Sequence, residues 1–142
     1  MRKSVWMVGA MLAASLGGCA STGVYEAETA LHETFIVDTN SQAAFRRAGE
    51  YVRACHVNVA HPYNVAYAWK PKLGEKGAPD EVQVYKVGEQ AKVLELITSE
   101  AESPSKAKVT ITVVGEGRWD KAEIAAARAS IESATPACRQ GG

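Results

Sequence analysis

Histidine and cysteine are the residues of this sequence best suited to chemistry, and two of them are adjacent, as Cys55 and His56. Zinc ligands commonly come in pairs two to five residues apart, and His61 follows at that spacing. A second pair is missing, because the sequence around Cys138 holds no histidine. The histidines, His32 included, have no local partner of the kind that supports nucleophilic catalysis, although a fold could still assemble one. We therefore predict no catalytic residue, no metal site and no cofactor.

The first twenty residues have the pattern of an exported protein. Arg2 and Lys3 precede an apolar run at 5–16, which is too short to span a bilayer and matches the hydrophobic region of a signal peptide. Leu16 is followed by two glycines and then by Cys19. This stretch resembles the lipobox of bacterial lipoproteins. The alternatives are an ordinary signal peptide that is cut elsewhere and an uncleaved anchor.

The resemblance to lipoproteins implies a defined maturation. Cys19 would receive a diacylglycerol thioether, a signal peptidase would cut between Gly18 and Cys19, and the new amine would be acylated. Two or more acyl chains hold a protein stably on a membrane, so the membrane is the partner that this resemblance implies. Position 20 is alanine rather than the aspartate typical of inner-membrane retention. The resemblance thus implies a lipid-anchored protein of the outer membrane that faces the periplasm.

Lipidation of Cys19 would leave Cys55 and Cys138 as an even pair in an oxidising compartment. We therefore predict a disulfide between them. It would close a loop of 83 residues, for which the chain-entropy argument gives a stabilisation of about 4 to 5 kcal/mol, although the values that disulfides deliver are usually about 2 to 4 kcal/mol.

Length and charge limit what the rest of the chain can be. Its 142 residues have room for one domain, and 46% of them are hydrophobic, which is ordinary for a globular protein. Sixteen basic residues balance sixteen acidic ones, so no basic excess would attract nucleic acid. We predict a signal peptide at 1–18, a flexible tether at 19–30 and a single domain at 31–142.

Hydrophobic periodicity predicts the secondary structure of that domain. The predicted elements, in chain order, are a strand at 34–37, a helix at 41–55, strands at 63–69, 81–87, 92–98 and 108–114, and a helix from Asp120 to about Pro136. Because the connections between the four later strands are too short for helical crossovers, those strands must be antiparallel. We predict a two-layer α+β fold, with an antiparallel four- to five-stranded sheet and two helices on one face, in the order β-α-β-β-β-β-α, stapled by one disulfide.

Four local features complete the expected fold. The sequence predicts loops at 70–80, which is rich in proline and glycine, and at 99–105, which is acidic and rich in serine. Thr39 has capping-box spacing at the start of the first helix. Trp119 precedes the last helix, where it could pack against Ile124 as a hydrophobic staple.

Large residues alternate along the predicted strand 63–69, so they should share one face. Packing under the helices is the favoured role of that face. The alternative is a ligand surface formed by Tyr67 and Trp69 with His61 beside them. The chain order also resembles a shortened helix-grip domain, a kind of fold that can enclose an apolar ligand.

The sequence as a whole resembles the small lipoproteins of Gram-negative bacteria. We predict a membrane-anchored lipoprotein whose small periplasm-facing domain is a non-enzymatic structural or interaction module of the cell envelope, with another envelope protein as a possible partner. One alternative is a carrier of a small apolar ligand, with a pocket between helix and sheet. The other is an enzyme or metal protein built on His56 and His61.

Overall fold

A computed structural model describes residues 23–140 of the chain. The predictions for the signal peptide, for cleavage after Gly18 and for lipidation of Cys19 lie outside the described residues. The elements are β1 (Leu31–Val37), α1 (Ser41–Val52), β2 (Tyr67–Lys72), β3 (Asp80–Lys86), β4 (Val93–Ser103), β5 (Lys106–Val113) and α2 (Lys121–Ser133). Among residues 23–140, no helix combines the length and the apolar character that crossing a bilayer requires.

The five strands form one antiparallel sheet in the order β1-β5-β4-β3-β2. Side chains of β5 alternate between buried and partly exposed, as expected for a sheet with one covered face. Val109 and Ile111 are fully buried on the face that α1 and α2 cover. The predicted α+β fold and its element order are confirmed.

Helix α1 begins differently from the prediction. Its N-cap is Asn40, whose Oδ1 accepts a hydrogen bond from the amide of Ala43 at 2.9 Å. The predicted capping box at Thr39 is therefore wrong by one residue. After Val52 the helix widens into a π-helical turn, Arg53–Val57.

The predicted disulfide between Cys55 and Cys138 is confirmed, with 5.2 Å between the two Cα atoms. Cys55 lies in the π-helical turn, whereas Cys138 lies in the segment that follows α2. In that segment the amide of Ala137 donates to the hydroxyl of Ser130 at 2.8 Å. The segment therefore folds back along α2, and the disulfide joins it to the end of α1.

The predicted strand 63–69 is wrong in its first half. Residues Pro62–Asn64 form a 3-10 turn in which Tyr63 and Asn64 have φ values of 60° and 56°. A left-handed backbone cannot pair in a sheet, so β2 begins only at Tyr67. It then continues through Pro71, which an edge strand tolerates, and the predicted loop 70–80 shortens to 73–79.

The predicted loop 99–105 is also wrong, because β4 and β5 form a long hairpin with a tight turn. Glu100 lies opposite Lys108 and makes an ion pair with it across the strands. The hydroxyl of Ser99 donates to the carbonyl of Ser41 at 2.8 Å. The polar residues of this stretch therefore pair across the strands and contact α1. The loop prediction failed because it was based on their polar composition alone.

The predicted tether extends too far, because residues 23–30 pack on the domain. The amide of Val24 donates to the carbonyl of Val93 at 2.9 Å, and the Val24 side chain is buried. Gly23 has a φ of +68°, and a Cβ there would lie 1.9 Å from the Val93 carbonyl oxygen, so only glycine fits. The hydroxyl of Thr29 donates to the carbonyl of Val114 at 2.8 Å. The folded domain therefore includes Gly23.

Candidate functional site

Four polar side chains meet in the core, and we call them the buried cluster: His56, Glu95, Glu123 and Tyr51. All four are fully buried. Nε2 of His56 lies 3.1 Å from Oε1 of Glu123 and 3.3 Å from Oε2 of Glu95. It also lies 3.2 Å from Oη of Tyr51, which donates a hydrogen bond to Glu123. One imidazole nitrogen therefore faces three oxygen atoms.

Each member of the buried cluster comes from a different element. Tyr51 lies on the buried side of α1, and His56 lies in the π-helical turn that follows it. Glu95 takes a core-facing position of β4, between the buried Val93 and Ile97. Glu123 lies in the first turn of α2, where the helix dipole favours a carboxylate. The cluster therefore depends on tertiary packing.

Two arginines adjoin the buried cluster and complete its charge balance. Nη2 of Arg118 lies 3.6 Å from Oε2 of Glu123, and Nη1 of Arg139 lies 3.8 Å from the same oxygen. Arg139 also makes an ion pair of 2.9 Å with Asp120, the N-cap of α2. With His56 protonated, three cations face three carboxylates. Burying charge is favourable only when it is paired in this way.

His61 connects the buried cluster to the surface. Its Nε2 lies 2.7 Å from the carbonyl oxygen of His56, and its Nδ1 lies 2.9 Å from Nη1 of Arg118. Because the carbonyl can only accept and the guanidinium can only donate, these two bonds assign the proton to Nε2. The ring also packs edge-on against Tyr67, with 4.8 Å between centroids. His61 thereby fixes the loop at residues 58–66.

Neighbouring charges shift the pKa values of the cluster in different directions. Burial alone would lower the pKa of His56, but the contact of its Nε2 with the carboxylates of Glu123 and Glu95 raises this pKa to about 9. Burial raises the pKa of Glu95, and neither of its oxygens makes a well-directed hydrogen bond. Burial would also raise the pKa of Glu123, but His56, Tyr51 and Arg118 lower it. Burial and the nearby glutamates raise the pKa of Tyr51.

Stability should therefore decrease at alkaline pH. The pKa of His56 is about 9 in the folded protein against 6.5 for the free side chain. Its protonated form stabilises the fold fully below pH 6.5, and this contribution is lost as the pH rises through 9. We expect the free energy of unfolding to fall by on the order of 2 to 4 kcal/mol between pH 6.5 and 9.5.

Urea denaturation of the native protein and of His56→Gln at several pH values measures this loss. The glutamine variant cannot lose a proton in this range, so its pH dependence should be much flatter. Equal slopes for the two proteins would show that His56 is not the titrating group.

The three residues proposed as a ligand surface are divided between two sets of contacts. His61 and Tyr67 are in contact, but Trp69 packs against α1, where its ring lies 3.3 Å from the position that a Cβ on Gly49 would take. Trp119 is buried against His56 and Tyr67, with ring centroids 5.0 and 5.2 Å apart. Tyr67 and Trp119 thus pack together at the core, whereas Trp69 also lines a surface cavity of about 200 Å³ beside α1.

Sequence reasoning missed the buried cluster. It assigned neither Glu95 nor Glu123 to a site and found no local partner for His56. The available signal was a glutamate at a core-facing position of an alternating strand.

A search of protein-family models and searches of curated proteins and of solved structures find no match to this chain.

The buried cluster also has the donor atoms of a cation site. His56, Glu95 and Glu123 offer ligand atoms within 4.8 Å of one another. A metal would have to displace the proton that His56 shares with the carboxylates, and Arg118 and Arg139 would repel it. Because the charges already balance, we expect the protein to fold without metal.

Chelation tests this expectation. Dialysis against EDTA should leave the melting temperature unchanged, and elemental analysis of the purified protein should find less than about one tenth of a metal ion per chain. A stoichiometric metal whose removal lowers the melting temperature would identify the buried cluster as a metal centre.

Proposed function

We propose that this chain is a lipoprotein anchored at Cys19, whose domain is a non-enzymatic structural or interaction module on the periplasmic side of the outer membrane. The observation that carries the proposal is the disulfide between Cys55 and Cys138. Disulfides persist in oxidising compartments, and this one leaves Cys19 as the single remaining thiol, within the Leu-Gly-Gly-Cys stretch. The Cys19 thiol is thus available for the lipid attachment that the stretch resembles.

Burial of the cluster supports the non-enzymatic part of the proposal. A general acid or base must come within hydrogen-bond distance of the group that it protonates or deprotonates. His56 and Glu95 have no exposed surface, and their positions are fixed by packing from the helices. The cluster is therefore suited to holding α1, β4 and α2 together.

Packing between the helices and the sheet supports an interaction module over a carrier of apolar ligands. Val52 of α1 and the strand residues Val82 and Val84 are fully buried. The ring of Trp69 packs against Gly49 of α1 at the side of this interface. A carrier would need an enclosed cavity at this interface, whereas the cavities beside α1 and α2 in the described part of the chain are open to solvent.

Metabolic labelling with radioactive palmitate tests the anchor in a Gram-negative host. The full chain should incorporate label, whereas Cys19→Ala should incorporate none and should keep its first eighteen residues. The matched control is Cys55→Ser with Cys138→Ser, which removes the other two cysteines and should retain the label. Labelling of Cys19→Ala, or no labelling of the native chain, would overturn the proposal.

A further inference from the structure

We infer that one end of the domain rests on the surface of the membrane that the lipid anchor enters, an inference that depends on the proposed function. We call it the anchor end, and it consists of Gly23, the loop at 58–66 and the turn at 87–92. The partner that we infer for the anchor end is a lipid surface, which the exposed apolar side chains of this end contact.

Strand register places these segments together. Gly23 forms a bridge with Val93 at the start of β4, which lies opposite Tyr85 near the end of β3. Tyr67, the first residue of β2, lies opposite Lys86. The loop that leads into β2, the turn that leaves β3 and the first described residue of the chain therefore share one end of the sheet.

The short stretch from Cys19 to Gly23 limits how far the anchor end can be from the membrane. Four residue steps separate Cys19 from Gly23, which at full extension span about 14 Å. Strand β4 has eleven residues and extends about 35 Å away from that end. An acylated Cys19 would thus keep the anchor end near the bilayer.

The anchor end carries exposed apolar side chains. Tyr63 is 98% exposed, Val87 is 57% exposed and Val59 is 42% exposed. The backbone holds Tyr63 at a φ of 60°, and the neighbouring His61 is fixed by its bonds to His56 and Arg118. Ordered loops thus present an aromatic ring to solvent.

The chemistry of this end suits the interface of a bilayer. Tyrosine is enriched at membrane interfaces because its ring is apolar and its hydroxyl is polar. Lys86 and Lys92 lie at the same end, where they pair with Glu89 and Glu116, and lysine side chains can extend apolar stems along a lipid surface while their amines stay in water. These side chains give lipid headgroups both apolar and polar contacts.

Fluorescence quenching by brominated lipids tests the inference on the full, acylated chain. Two variants, Tyr63→Trp and Leu73→Trp, are reconstituted separately into vesicles of phosphatidylethanolamine and phosphatidylglycerol whose acyl chains are brominated. Leu73 is the matched control, because it is 69% exposed and lies in the loop between β2 and β3 at the opposite end of the sheet. Val87→Trp is a second probe of the anchor end.

We expect the fluorescence added by Tyr63→Trp to fall by roughly half in brominated vesicles, because tryptophan prefers the interface, and that of Leu73→Trp to stay unchanged. In the mature chain, from which cleavage removes Trp6, Trp69 and Trp119 give the background fluorescence, which is measured on the protein without substitutions. Quenching at Val87→Trp would support the same result if Tyr63→Trp fails to fold.

Three results would overturn the inference. If mass spectrometry shows an acylated Cys19 but neither Tyr63→Trp nor Val87→Trp is quenched, the anchor end faces away from lipid while the proposed function stands. Stronger quenching of Leu73→Trp would mean that the opposite end contacts the membrane. An unmodified Cys19 would overturn both the inference and the proposed function.

Discussion

Replacing Glu123 with alanine is expected to lower the free energy of unfolding by about 3 to 5 kcal/mol, the cost of removing one partner from a buried ion pair. Glu123 accepts a hydrogen bond from the hydroxyl of Tyr51 and faces His56 and Arg118. The variant leaves Tyr51, His56 and Arg118 without their common acceptor. Replacing the whole buried cluster with apolar side chains would leave no member of it unpaired. Urea denaturation at pH 7 measures the loss.

The control for this variant is Glu132→Ala on the same helix. Glu132 is 43% exposed and pairs with Arg128 on the surface, so its removal should cost less than about 1 kcal/mol. A loss of the same small size for Glu123→Ala would contradict the charge balance that we assign to the buried cluster.

Removing the disulfide is expected to have the second largest effect. The double variant Cys55→Ser with Cys138→Ser should lose about 2 to 4 kcal/mol of stability, because the bond closes a loop of 83 residues. It also holds the segment after α2, from which Arg139 reaches Asp120 and Glu123. Loosening this segment should weaken the buried cluster as well.

Thermal unfolding with and without a reductant measures the effect. Reductant should lower the melting temperature of the native protein and leave that of the double variant unchanged. A native protein that unfolds at the same temperature under both conditions would show that the disulfide contributes nothing to stability.

Local patterns were enough to predict the architecture. Alternation along 81–87 and 108–114 identified two strands, and the short connections between strands required antiparallel pairing. The amphipathic pattern at 41–55 identified α1 together with the π-helical turn that follows it. These features follow from the period of each element, which a single stretch of sequence contains.

The buried cluster could not be predicted in the same way. His56, Glu95 and Glu123 lie on separate elements. Only the packing of α1 and α2 on the sheet brings a carboxylate oxygen of each glutamate within 3.3 Å of Nε2 of His56. Local spacing describes neighbours along the chain, whereas this contact is formed across it. The strand at 63–69 failed for another reason, because Tyr63 alternates correctly but has a left-handed backbone.

The most direct test of the lipoprotein assignment is the mass of the N-terminal peptide from protein purified out of host membranes. We predict a peptide that begins at Cys19 and carries a diacylglycerol on its sulfur and an acyl group on its amine. A peptide that begins at another residue, or one in which the thiol of Cys19 is unmodified, would contradict the assignment.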